Sequence, residues 1–204
     1  MKTVSRWFLT IIGLTFIVVV WINLLKKPSF ESIFINQKSV ALITAHPDDE
    51  VVFFSPTILQ LQKNGVLFYL ICVTFGDYEG HGADRMEELY NCCNELGVNT
   101  ERIIFINNKN FLEHPSKRWE NLSSLVENLN VVLKKLEIET VFTFGPYGCS
   151  GHPNHIDTHT AVRSLKTFRR FFLKDSSLNW FQSAFLEILS TSFTNSKSRD
   201  IKTQ

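Results

Sequence analysis

Apolar and polar positions follow two rhythms along this chain. Short apolar runs at Val40–Thr44, Val66–Thr74, Arg102–Ile106 and Thr140–Phe144 have the length and β-branched content of strands, and a weaker fifth falls at Ala184–Leu189. Between them a helical period governs, near Phe54–Lys63, Asp84–Leu96, Lys117–Leu136 and Asn154–Phe168. Leu122, Leu125, Val126, Leu129 and Leu133 share one helical face, and Gly65 and Gly97 stand where C-terminal caps belong. Strand and helix in alternation predict an α/β fold: a Rossmann-like, mostly parallel sheet with helices on both faces. In the strand order 3-2-1-4-5, strands one and four lie side by side at the reversal, outside which ligands bind.

The N-terminus breaks this rhythm. Trp7 to Leu25 carries no charge and approaches the ~20 residues that span a bilayer, with Trp7 and Trp21 near its ends. It ends in Trp-Ile-Asn-Leu-Leu-Lys-Lys rather than in small residues, so a retained transmembrane helix at about 7–25 is expected over a cleaved signal. The expected division is therefore an anchor and linker over 1–38 and one domain over 39–204. Lys2 and Arg6 face Lys26 and Lys27 across the span, which leaves orientation open, and the sequon Asn121-Leu-Ser123 makes orientation testable. With 21 basic and 20 acidic residues, bulk charge gives no reason to expect a nucleic-acid partner. Cys72, Cys92, Cys93 and Cys149 lack CxxC spacing and read as free thiols in a reducing compartment.

Two loops carry the chemistry. His46-Pro-Asp-Asp-Glu50 follows the first strand, and Gly151-His-Pro-Asn-His-Ile-Asp-Thr-His159 follows the fourth, so the reversal point brings them together. Imidazole and carboxylate in that number suit a catalytic zinc with three protein ligands. His46 and Asp49, three apart in a turn entering a helix, can point the same way, and His155 can supply a third bond from the neighbouring loop. Asp48 or Glu50 is placed to take a proton from water, and His152 to donate to an oxyanion. His81 and His114 read as loop histidines, and His159 as a supporting or core residue. Two histidines with one carboxylate also suit ferrous iron.

Ala45-His-Pro-Asp-Asp-Glu50 with Ser150-Gly-His-Pro-Asn-His155 resembles the LmbE-like zinc de-N-acetylase family, and so does the glycine-rich segment Gly76 to Leu89 with its Arg85-x-x-Glu88-Leu. The resemblance covers roughly residues 39 to 168. It implies one zinc ion, other divalent metals being possible, on His46, Asp49 and His155, with Asp48 as general base and His152 stabilising the tetrahedral intermediate. Arg85 and Glu88 match residues that line or brace the substrate pocket. The implied reaction is hydrolysis of the acetamide of N-acetylglucosaminyl-phosphatidylinositol to the free amine and acetate, in GPI-anchor synthesis. The implied setting is the endoplasmic reticulum membrane, with a cytosolic catalytic domain and a glycolipid as partner. Two departures stand out. Thr143-Phe-Gly145 lacks the acidic residue common in relatives, and the domain is short at its C-terminal end, turning polar at Ser190. A deacetylase of another N-acetylglucosamine conjugate and a shortened, non-catalytic membrane-bound interaction protein remain as alternatives.

Overall fold

The structure is a computed structural model that describes residues 13–17, 39–106, 108–173 and 202–203. The chain divides into two units, Met1–Ile33 and Phe34–Gln204. In the first, residues 13–17 are helical. The rest of the expected anchor lies outside the described residues, and no helix among the described residues is long and apolar enough to cross a membrane.

The second unit runs β1 (Val40–Thr44), α1 (Asp49–Val52), α2 (Ser55–Lys63), β2 (Phe68–Cys72), α3 (Gly82–Glu95), a 3-10 turn (Thr100–Arg102) and β3 (Ile103–Phe105). It continues through α4 (Leu122–Lys135), β4 (Thr140–Thr143), α5 (Gly148–Gly151), α6 (Pro153–Ser164), β5 (Arg169–Phe172) and β6 (Lys202–Thr203). The sheet order is β3-β2-β1-β4-β5-β6, parallel through β5 and antiparallel at β6. Every residue of β1 is buried, as a central strand covered on both faces requires. Leu42 pairs with Leu70 on one side and Phe142 on the other, so β1 and β4 are neighbours at the reversal. α4, which leads into β4, packs on α6, which leads into β5, as right-handed crossovers in this strand order require. The buried face of α4 is Leu125, Leu129 and Leu133, each worth ~1.5–3 kcal/mol of burial.

Most boundaries fall within a few residues of the sequence reading, and one differs for a clear local reason. The helix expected from Lys117 begins at Leu122, because Asn121 caps it by accepting from the Ser124 N–H and the residues before it are engaged elsewhere. The strand expected at Ala184–Leu189 lies outside the described residues. Among the described residues the strand after β4 is Arg169–Phe172, which the sequence reading did not foresee and whose Phe171 stacks on Phe142 at 5.0 Å between ring centroids.

Candidate metal centre

The two loops meet. β1 ends into a turn where Asp48 takes a left-handed conformation (φ 107°), strained for a residue with a side chain and tolerated best by Gly, Asn and Asp. Glu50, 1% exposed, reaches back to accept the Asp48 N–H at 3.0 Å and holds that conformation. Asp49 turns inward, its Oδ2 accepting the N–H groups of Ala45 (2.9 Å) and His46 (2.8 Å). From the β4 side, Gly148 sits at φ +65° with His155 packed so close that a Cβ would meet it at 2.7 Å. The His155 ring lies flat on Phe144, centroids 4.2 Å apart, with Phe53 edge-on.

Backbone groups fix the polarity of each imidazole. The Gly148 carbonyl can only accept, so His155 donates from Nδ1 at 2.9 Å and turns the Nε2 lone pair to the centre. Asn154 Oδ1 accepts the His114 N–H (3.3 Å) while its Nδ2 donates to the Lys117 carbonyl (3.3 Å), which orients the amide. His46 must therefore donate from Nε2 to Asn154 Oδ1 (3.2 Å), and its Nδ1 lone pair faces His155 Nε2 at 3.2 Å. Asp49 Oδ1 lies 3.0 Å from that Nε2, and its Oδ2 3.7 Å from His46 Nδ1. In the neutral tautomers that these contacts select, His46 Nδ1, His155 Nε2 and the Asp49 carboxylate present three electron-pair donors to one point; His155 protonated at Nε2 instead donates to Asp49 Oδ1. Ligands at about 2.0–2.2 Å around a tetrahedral ion stand about 3.3–3.6 Å apart, close to these separations.

His152 is the third ring of the cluster, and nitrogens of His46, His152 and His155 lie within 4.8 Å of one another. Its Nδ1, however, accepts the Asn154 N–H at 3.2 Å, so the neutral ring carries its proton on Nε2 and offers a donor. Proximity groups the three histidines, and the Asp49 carboxylate adjoins two of them.

Titration follows this layout. Burial would raise Asp49, but His155 and His46 beside it hold its carboxyl below the usual range. Burial would lower His155, and the Asp49 carboxylate outweighs it and raises the ring. Burial lowers His46, with Asp49 opposing and His155 adding. Burial and the two neighbouring imidazoles push His152 down to about 4, so it is neutral at pH 7. The Asp48 side chain is 62% exposed, yet partial burial and Asp49 push it up to about 6 against the opposing Arg85.

Arg85 comes from α3 across the glycine-rich loop. Gly76 leaves the space its guanidinium fills, since a Cβ there would run into it. Nη1 donates to the Gly76 carbonyl (3.0 Å) and Glu113 (2.9 Å), and Nη2 to the Pro47 carbonyl (2.8 Å) and Asp48 Oδ2 (3.2 Å). Glu88, one turn further, is exposed and has no hydrogen bond or ion pair among the described residues. His159 donates from Nδ1 to the Phe144 carbonyl (2.9 Å) and packs on Phe172, away from the cluster. His81 is exposed near Asp84. The sequence reading passed over two groups, Glu113 and Asn154. Asn154 stood inside the His-Pro-Asn-His motif and could have been found there; Glu113 belongs to no motif.

Fold and centre together define an α/β domain with a His-Asp donor cluster at the switch point of a parallel sheet. The chain belongs to the PIG-L family, described as GlcNAc-PI de-N-acetylase, which matches residues 41–166. It is 38% identical over 128 residues to the N-acetylglucosaminyl-phosphatidylinositol de-N-acetylase of Bos taurus, covering 61% of this chain and 49% of that protein. The Saccharomyces cerevisiae protein of the same name is 36% identical over 132 residues, covering 62% and 43%. The chain spans about half the length of the curated relatives it matches. Among solved structures, N,N'-diacetylchitobiose deacetylase from Pyrococcus horikoshii shares the fold, with a TM-score of 0.57 at 20% identity over 82% of this chain and 73% of that one.

Proposed function

We propose that the chain is a zinc-dependent de-N-acetylase that hydrolyses the acetamide of N-acetylglucosaminyl-phosphatidylinositol, with His46, Asp49 and His155 as metal ligands. The observation that carries this reading is the convergence of His46 Nδ1, His155 Nε2 and the Asp49 carboxylate, each turned inward by a hydrogen bond at its far side. A divalent cation held there supplies Lewis acidity, which draws on a carbonyl oxygen and acidifies water. Asp48, beside the centre and with its carboxyl at about 6, is ionised at neutral pH and takes the proton of the attacking water. His152, neutral with its proton on Nε2, donates to the oxygen that gains charge as the tetrahedral intermediate forms. The proton on Asp48 then passes to the departing amine. Arg85 braces Asp48 and the Pro47 carbonyl at the pocket edge.

Membership of the PIG-L family and the names of the relatives favour the glycolipid over other N-acetylglucosamine conjugates. The apolar run Trp7 to Leu25 supports a single-pass anchor, and the proposed substrate, not the run itself, is the reason to place that anchor in the endoplasmic reticulum membrane with the domain on the cytosolic side. The deciding assay is acetate release from N-acetylglucosaminyl-phosphatidylinositol by detergent-solubilised protein, with and without zinc, beside His46→Ala. Zinc-dependent release lost in the variant is expected. A zinc-loaded protein that leaves this lipid intact defeats the substrate assignment.

A further inference from the structure

Glu113 lies between Arg85 and His46, in the segment from 106 to 121 that joins β3 to α4. Its side chain is 15% exposed; Oε2 accepts from Arg85 Nη1 at 2.9 Å and Oε1 lies 3.9 Å from His46 Nε2. The segment does not need Glu113 to hold its path. The His114 N–H and the Lys117 carbonyl are tied to Asn154, the Trp119 N–H to Asp157 (2.7 Å), and Trp119 Nε1 to the Leu112 carbonyl (2.9 Å). Glu113 is thus an acid presented to the centre by a loop already fastened on both sides of it.

Among the described residues two carboxylates face the Arg85 guanidinium, Asp48 and Glu113. An arginine facing one carboxylate favours a two-pronged pair that occupies both oxygens. Here Nη1 is taken by Glu113 and the Gly76 carbonyl, so Asp48 receives one hydrogen bond, at 3.2 Å, the longest of the four that Arg85 makes. We infer that Glu113 is a positioning residue: by engaging Arg85 Nη1 it limits Arg85 to a single bond with Asp48, and leaves the second Asp48 oxygen open to receive the proton of water. The inference rests on the reading of Asp48 as the general base.

The test combines crystal structures of wild type and Glu113→Ala with steady-state acetate release by wild type, Glu113→Ala and Glu113→Gln. The alanine variant is expected to show Arg85 closed on both Asp48 oxygens. Its kcat should fall roughly 10- to 100-fold, the range that small misplacement of a reacting group costs, with KM, zinc content and Tm near wild type. Glutamine, which still accepts from Nη1, should restore most of kcat. A single Arg85 contact on Asp48 in the alanine variant, or unchanged kcat in that variant, overturns the positioning role and leaves the deacetylase reading standing. A wild type that releases no acetate defeats the deacetylase reading instead, and the crystal structures still decide the Arg85 geometry.

Discussion

At the scale of single residues, the centre assigns opposite tasks to adjacent acids by their surroundings. Asp49 is buried, which by itself favours the protonated acid, but His155 beside it and two backbone N–H groups outweigh burial and keep it a carboxylate; Asp48 is largely exposed and sits near 6, where it can exchange a proton. Asp48→Asn should therefore keep full zinc content and lose about 10²–10⁴-fold in kcat, the usual worth of a general base. Zinc analysis beside acetate release checks this, and normal turnover by the loaded variant removes Asp48 from the mechanism. Glu50 titrates for a structural reason. Burial pushes its carboxyl up to about 7, with its own and the Asp48 backbone N–H groups opposing. Its folded value lies above the unfolded 4.5, so the folded state holds the proton longer. The associated stability is complete below pH 4.5 and drains away as pH rises towards 7, by up to ~3 kcal/mol. In chelator-treated protein, Glu50→Gln should flatten this decline and gain on wild type between pH 5 and pH 8 in urea unfolding. Parallel slopes for the two proteins would mean that Glu50 is ionised throughout.

At the scale of elements, α6 does more than carry His155. His152 caps it by accepting the Asn154 N–H, Asn154 on its first turn orients His46 and fastens the 106–121 segment, and Asp157 one turn on accepts the Trp119 N–H and pairs with Arg118. Asn154→Leu removes the acceptor that puts the His46 proton on Nε2, and zinc affinity should fall roughly 10- to 100-fold, as is common for such supporting contacts. Competition with a chelating dye would measure it; unchanged affinity would mean that His46 needs no such partner. The elements also separate what a sequence reveals from what it hides. β1 and β4 were legible because central parallel strands are continuous apolar runs, and the reversal between them followed from connection rules, so the meeting of His46 and Asp49 with His152 and His155 could be foreseen. β5 was hidden because Arg169 and Arg170 open it and only Phe171 and Phe172 are buried, too short an alternation to register. Glu113 was hidden for a deeper reason: one acid in an aperiodic stretch has no partner spacing, and only the folded chain brings it to Arg85.

At the scale of the whole molecule, the proposed anchor allows this domain either side of a membrane, and one hydrogen-bonded cap makes the choice measurable. Asn121 of the sequon Asn121-Leu-Ser123 is exposed at the start of α4, so an oligosaccharyl transferase in the same compartment would have access to it. The charges flanking Trp7 to Leu25 balance too closely to choose an orientation. A cytosolic domain predicts that the protein made in cells keeps an unmodified Asn121, with no mobility change on endoglycosidase treatment. A form in which a cleavable signal replaces residues 1–38 should carry the domain into the lumen and gain an endoglycosidase-sensitive shift. The control must be Ser123→Ala, not a change of Asn121. Asn121 Oδ1 accepts the Ser124 N–H at 3.1 Å as the cap of α4, and losing such a cap costs ~1 kcal/mol, which would confuse misfolding with missing glycan. Ser123→Ala abolishes the acceptor sequence and leaves that bond in place. A shift in the native protein that Ser123→Ala removes would put the domain in the lumen, and a substrate presented on the cytosolic leaflet would then be out of its reach.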